Sequence, residues 1–198
     1  MKQLILASQS PRRRMLLNQI GVSFKTYPSN VDENVTEKIE PEDYVRYLSE
    51  RKAFSVKEEL SSNGHNSFVV LAADTIVVLE GLILGKPADE RQAFDMLEKL
   101  SGNWHEVMTG VCVIDGDEGK KLTRVETTRV KIRKLTSDEI WRYIETREPL
   151  DKAGAYGIQG VGALLVEKID GCFYNVVGLP LYSVSVMLEQ IGIKTILD

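Results

Sequence analysis

Leu4-Ile5-Leu6-Ala7-Ser8-Gln9-Ser10-Pro11-Arg12-Arg13-Arg14-Met15-Leu16-Leu17 is the stretch around which the rest of the chain is organised. Its first four residues are an apolar run of strand length. Ser8-Gln9-Ser10 breaks that run before Met15, Leu16 and Leu17 carry a helix. Ser10 suits the N-cap, and Pro11 suits the first helical position, where a missing N–H costs nothing. Arg12, Arg13 and Arg14 do not suit a plain helix start, because the positive end of the helix dipole disfavours cations in the first turn. Free backbone N–H groups, the hydroxyls of Ser8 and Ser10 and the guanidinium forks together can cradle a phosphate chain. The competing reading is a solvated basic turn with an ordinary serine cap.

Working outward, 198 residues suit one large domain, or two lobes sharing a sheet, with a substantial core. A net charge of -4 and a pI near 5.4 argue against a broad nucleic-acid or membrane footprint, so any anion site must be focused. Cys112 and Cys172 lack CxxC spacing and read as thiols without a redox or metal role. His65 and His105 are too few for a histidine-rich metal site. The apolar run after Lys2 is too short for a signal-peptide core and no stretch approaches a membrane span, so the expected compartment is the cytoplasm.

Further along, Gly21 is a natural helix stop, Val22–Tyr27 a strand and 28–40 an acid-rich loop containing Asp32 and Glu33. Pro41 opens a long helix in which Tyr44, Val45, Leu48 and Lys52 share a side. On spacing alone, Lys52 is expected to snorkel, its stem covering apolar surface. Phe68–Ala73 reads as a strand buried on both faces, ended by Asp74. Ile76–Leu79, the Glu80-Gly81 turn and Leu82–Leu84 predict a hairpin, whose exit sets Lys86 between Gly85 and Pro87. Asp89 caps a helix closed by Ser101-Gly102-Asn103; two long strands, Trp104–Ile114 and Leu122–Ile132, flank a turn; Thr136 to Glu139 fit a capping box. Asp151-Lys152-Ala153-Gly154-Ala155-Tyr156-Gly157-Ile158-Gln159-Gly160 is rich in small residues, which implies close backbone approach to a ligand or a neighbouring strand. Strands over Ala163–Ile169 and Phe173–Val177 precede a last helix introduced by Gly178-Leu179-Pro180.

Ser8, Arg12, Arg13, Glu33, Asp74, Lys86, Lys152 and Gln159 fall at predicted strand ends, helix starts and loops, and Lys52 lies on the flank of the helix that Pro41 opens. Several cations with two or three carboxylates is the composition expected for metal-assisted attack on a polyphosphate. A Walker loop and a kinase signature set are missing from the sequence, so hydrolysis is more attractive than phosphoryl transfer.

Ser8 to Arg13, Ala73-Asp74-Thr75, Gly85-Lys86-Pro87, Leu100-Ser101-Gly102, the ten residues from Asp151 and Val177-Gly178-Leu179-Pro180 occur in the order found in the Maf family of nucleotide pyrophosphatases, and the resemblance spans about Leu4 to Leu188. It implies an α/β fold, one Maf-like domain over 1–198 with a mixed, bent central sheet flanked by helices, in two lobes around an active-site cleft, similar to the inosine triphosphate pyrophosphatases. It further implies hydrolysis of nucleoside triphosphates to the monophosphate and pyrophosphate with a divalent cation, magnesium or manganese. Asp74 is then the base that activates water for attack at the α-phosphorus. Ser8, Arg13, Lys52 and Lys86 are phosphate ligands, with Lys152 counted beside them, and Glu33 joins Asp74 in holding the metal.

Branches of the family differ at three positions, occupied here by Arg12, Thr75 and Gln159. This set is similar to that of the branch acting on dTTP and UTP. The 7-methyl-GTP branch instead carries tryptophan, glutamine and glutamate. An amide such as Gln159 can pair with a pyrimidine edge. Ala72 departs from a glycine common in this branch, which is harmless only if its φ is negative. The resemblance also implies a homodimer, while the acidic pI argues against a stable nucleic-acid or membrane partner. The alternative function is a regulator of septum formation that binds nucleotide or nucleic acid without turning it over; Asp74 together with Glu33 favours the enzyme.

Overall fold

The computed structural model describes residues 2–33 and 39–197, so part of the predicted 28–40 loop lies outside the described residues. In chain order the strands are β1 (Gln3–Leu6), β2 (Phe24–Thr26), β3 (Phe68–Leu79), β4 (Leu82–Leu84), β5 (Trp104–Asp115), β6 (Lys121–Ile132) and β7 (Val166–Asp170). The helices are α1 (Pro11–Gln19), α2 (Pro41–Ser62), α3 (Glu90–Leu100), α4 (Ser137–Glu145), α5 (Phe173–Val177) and α6 (Leu181–Gln190). The strands form one mixed sheet in the order β2-β1-β3-β5-β6-β7, with β4 on β3. β1 runs parallel to β2 and β3, whereas β3–β4 and β6–β7 are antiparallel. The α/β class with a mixed sheet flanked by helices is therefore as expected.

The chain divides into two compact units. The first comprises Met1–Asp74, Thr109–Glu126 and Gly178–Asp198. Its core includes Ile5, Ala7, Ala53, Val56, Leu60, Phe68, Val70, Ala72, Cys112 and Ile114, all buried. The α2 helix packs closely enough that a Cβ on Gly110 of β5 would lie 2.2 Å from the Val45 carbonyl oxygen, so glycine alone fits there. Burial pushes the Cys112 thiol up to about 12, making it an inert packing group. The second unit comprises Thr75–Met108 and Thr127–Val177. Its core is built from the inward faces of α3 and α4, including Ala93, Phe94, Leu97, Leu100, Ile140, Tyr143 and Ile144, with Val107, Val130 and Ile132 from the sheet.

Local signals act as their chemistry dictates. Ser10 caps α1 by accepting from the Arg13 N–H, Asp89 caps α3 by accepting from Gln92, and both halves of the Thr136–Glu139 capping box are present. At the β3–β4 turn, Glu80 and Gly81 both have positive φ, the backbone that matches a two-residue hairpin to strand twist.

Three expectations fail. β3 does not stop at Asp74 but continues to Leu79, because the chain pairs with β1 over Phe68–Leu71 and with β4 over Val77–Leu79, and a side-chain partner satisfies the intervening carboxylate. Residues 160–164 form a 3₁₀ turn, so the following strand begins at Val166. Phe173–Val177 is a short helix, despite its aromatic and β-branched content. Asn175 in it is buried and donates to the Val107 carbonyl and to Thr128 Oγ1, each at 3.0 Å, while Thr128 Oγ1 also accepts from the Cys172 N–H. These tertiary bonds override strand propensity.

Candidate active site

In the first unit, β1 delivers the chain to the turn that precedes α1. The Ala7 N–H donates to the Leu71 carbonyl, so Ser8 leaves β1 two residues past the level of Leu71 on β3, the strand that carries Asp74. Ser8 is buried, and its Oγ accepts from the Ser10 N–H at 3.1 Å and from Arg13 Nη1 at 3.4 Å. Arg13 Nε donates to the Gly178 carbonyl at 2.9 Å, which fixes the plane of the guanidinium. Burial lowers its pKa, and the charges of Asp74 and Glu33 oppose that shift. Arg13 is therefore a braced cation, not a solvated one; Arg12 is half-buried, and Arg14 is exposed.

Lys52 does not snorkel. Its ammonium donates to Asp74 Oδ1 at 2.6 Å and lies 2.7 Å from Glu33 Oε1. The Lys52 and Asp74 side chains are each 10% exposed, whereas that of Glu33 is 58% exposed. Helical spacing puts Lys52 on the buried side of α2 beside Leu48 and Val56, and desolvation then requires opposite charge at its tip. Tyr44, two turns earlier on α2, donates its hydroxyl to the Glu33 carbonyl at 3.2 Å. Burial and the two carboxylates raise the Tyr44 phenol, which stays a donor. Its helix position was readable in the sequence, but this tether was not. Ala72 does not have positive φ, so the alanine leaves the backbone ahead of Asp74 undistorted.

Asp74 and Glu33 thus present two hard oxygen donors to one cation. Among the described residues, no group of three or more His, Cys, Asp or Glu side chains forms a complete metal cage. A pair of carboxylates fits a magnesium-type ion that takes its other ligands from water and substrate phosphates.

The second unit holds the other predicted residues. Thr75 follows Asp74 directly on β3 and is half-buried. Lys86 is exposed on the β4 exit, and the Gly154 N–H donates to the Gly85 carbonyl at 3.0 Å, bringing that exit against the glycine-rich loop. Lys152 Nζ donates to the Glu148 carbonyl at 2.6 Å and to Asp151 Oδ1 at 2.7 Å. Gln159 is half-buried in extended backbone.

What approaches this loop so closely is the chain's own side chains. Glu148 Oε1 accepts from the Tyr143 hydroxyl at 2.9 Å and from the Gly162 N–H at 3.0 Å, and Oε2 accepts from Val161 at 2.9 Å. The Gly157 N–H donates to Tyr143 Oη at 3.1 Å. A Cβ on Gly160 would meet Glu148 Oε2 at 2.6 Å, one on Gly162 the Gly157 carbonyl at 2.1 Å, and one on Gly157 the Lys152 stem at 2.7 Å. Tyr156 shares a 2.7 Å hydrogen bond with His105 Nε2 in the core, and burial pushes that imidazole down to about 4. Tyr143, Glu148 and His105 were not singled out from sequence, since no local spacing announces a side chain folding back on a loop more than ten residues later.

Comparison with known proteins identifies the family to which the chain belongs. A family model described as Maf-like protein matches residues 3–191. Among curated relatives, the dTTP/UTP pyrophosphatase of Caldicellulosiruptor bescii is 53% identical over 192 residues, covering 97% of this chain and 96% of that protein. Those of Acetivibrio thermocellus and Bacillus pumilus are 46% and 49% identical, over 99% and 98% of this chain and 98% of each relative. With a matching model over nearly its whole length and relatives near half identity end to end, the chain belongs to the Maf family.

Proposed function

We propose that this protein is a nucleotide pyrophosphatase that hydrolyses dTTP and UTP to the monophosphate and pyrophosphate. The names of its relatives support the substrates. In the structure, the carrying observation is Asp74, a largely buried carboxylate on β3 whose Oδ1 is held by the Lys52 ammonium that also holds Glu33. In this reading Asp74 takes a proton from water as the water oxygen bonds to the α-phosphorus. The bond from that phosphorus to the oxygen bridging to the β-phosphorus breaks, and pyrophosphate leaves with the electron pair.

Ser8 and Arg13 are ligands for the triphosphate, as are Lys52, Lys86 and Lys152. Arg13 is ready for that task because Gly178 and Ser8 already orient it. Glu33 and Asp74 would hold the magnesium or manganese ion. When bound, that ion neutralises the polyphosphate and polarises its P–O bonds. Arg12, Thr75 and Gln159 select the base. We place the enzyme in the cytoplasm as a homodimer without a stable nucleic-acid partner, consistent with its acidic pI.

Pyrophosphate release from dTTP, UTP, CTP, GTP and 7-methyl-GTP, with magnesium or manganese, tests the reading against an Asp74→Asn control. Selective release from dTTP and UTP is expected. The control should lose about two to four orders of magnitude in turnover while still binding nucleotide. Saturable binding with no release from any nucleotide would favour the regulator; weakened binding with unchanged turnover in the control would remove Asp74 from its role.

A further inference from the structure

The residue read as a base selector, Gln159, is braced on both sides by a pair of side chains outside the predicted site. Two residues before it, the Gly157 N–H donates to Tyr143 Oη; two and three residues after it, the Val161 and Gly162 N–H groups donate to the Glu148 carboxylate. Tyr143 and Glu148 are themselves joined by the 2.9 Å bond from the phenol to Oε1. Glu148 also reaches the predicted phosphate ligand Lys152, whose Nζ donates to its main-chain carbonyl.

The clamp is built into the backbone around it. The N–H groups at the start of the 160–164 3₁₀ turn form a small anion site, which Glu148 fills from within the chain. Gly157, Gly160 and Gly162 leave room for the Lys152 stem, the carboxylate and the phenol. Tyr143 is buried among Ile140, Ile144 and Leu165 on the inward side of α4, so the clamp is anchored to a packed helix. Burial pushes the Tyr143 phenol upward, so it remains an O–H donor beside the carboxylate.

We infer that Tyr143 and Glu148 are positioning residues for base selectivity, holding the segment 157–162 so that Gln159 presents its amide in one place. This rests on the reading of Gln159 as a selector of the base. Loss of one hydrogen bond at such a brace is of the order that changes an equilibrium about three- to tenfold.

The test measures kcat and KM for dTTP, UTP and CTP in Gln159→Ala, Tyr143→Phe, Glu148→Gln and Glu148→Ala. Tyr143→Phe and Glu148→Gln should narrow the dTTP-to-CTP ratio of kcat/KM about three- to tenfold, chiefly through KM. Glu148→Ala should narrow it further, because the glutamine retains one acceptor oxygen and alanine none. Tyr143→Phe combined with Gln159→Ala should lose no more selectivity than Gln159→Ala alone.

Amide exchange at Gly157, Val161 and Gly162 supplies a second readout and should quicken in the brace variants that melt like the wild type. An unchanged ratio in all three brace variants, where Gln159→Ala does narrow it, overturns the inference and leaves the selector reading standing. An unchanged ratio in Gln159→Ala removes the selector and the brace's role with it. Unchanged exchange at the three amides likewise overturns the brace.

Discussion

Lys52 brings an ammonium into the interior of the first unit, where Asp74 and Glu33 replace the water it has lost. Replacing it with methionine keeps the stem but leaves the Asp74 carboxylate largely buried beside Glu33 without their shared cation. Lys52→Met is expected to lower the unfolding free energy by about 3–5 kcal/mol, toward the lower figure because Glu33 stays open to water. Urea titration measures this, and a loss below about 1 kcal/mol would mean that the pair is solvated in solution. Asp74→Asn is a milder change, since an amide oxygen still accepts from Lys52. Its effect should fall on turnover and leave the fold intact, which is what makes it a clean probe of the base. Arg13 illustrates the same economy of placement: a backbone carbonyl and a serine hydroxyl help to orient the guanidinium.

At the scale of elements, the glycine-rich loop is shaped by what threads through it. Gly162→Ala would put a Cβ 2.1 Å from the Gly157 carbonyl oxygen and 2.6 Å from Tyr143 Oη, so the loop must open and the Glu148 bonds must lengthen. A loss of about 2–3 kcal/mol is expected, within the range for forced overpacking. Gly64, at the end of α2, has a φ of +75° and open space around it. Gly64→Ala therefore carries only the left-handed backbone penalty of about 1–2 kcal/mol. Thermal melts of the two variants should rank them in that order; equal losses would show that the loop yields without cost. The short α5 helix makes the complementary point. Its residues prefer a strand in isolation, and bonds from buried Asn175 to Val107 and Thr128 decide otherwise.

For the whole molecule, the neutral core imidazole of His105 sets an acid limit on stability. Burial puts its folded pKa at about 4, below the ordinary imidazole value of 6.5, so the unfolded chain binds the proton more readily between those values. Its contribution is fully present above pH 6.5, is lost as pH falls toward 4 and changes no further below that. Its size is on the order of 3 kcal/mol. Glu50, Asp115 and Glu139 have lowered carboxyl pKa values, Glu139 to about 2. Their stabilisation is present above the ordinary carboxyl range and is lost only at lower pH. Denaturant midpoints from pH 7 to pH 4 should fall for the wild type and stay flatter for His105→Gln, which can still bond Tyr156 but cannot titrate. Parallel curves would assign the acid limit to the carboxylates.

Amino-acid order by itself determined the features that act within a few residues. Ser10 and Pro11 start α1, Asp89 starts α3, Thr136 and Glu139 box α4, Glu80-Gly81 turns the hairpin, and alternation buries Thr128, Val130 and Ile132. It also named the polar residues now found around Asp74 and along the loop, because helix starts, strand positions and glycine runs are local signals. The partner of each long side chain was decided only by tertiary structure. Lys52 snorkels on spacing alone and is ion-paired in the fold, Phe173–Val177 extends on propensity alone and coils, and the space left by three glycines belongs to Glu148, Tyr143 and Lys152. The physical reason is common to all three: desolvation forces a buried charge or amide to find a partner, and the packing of distant segments determines which partner is within reach.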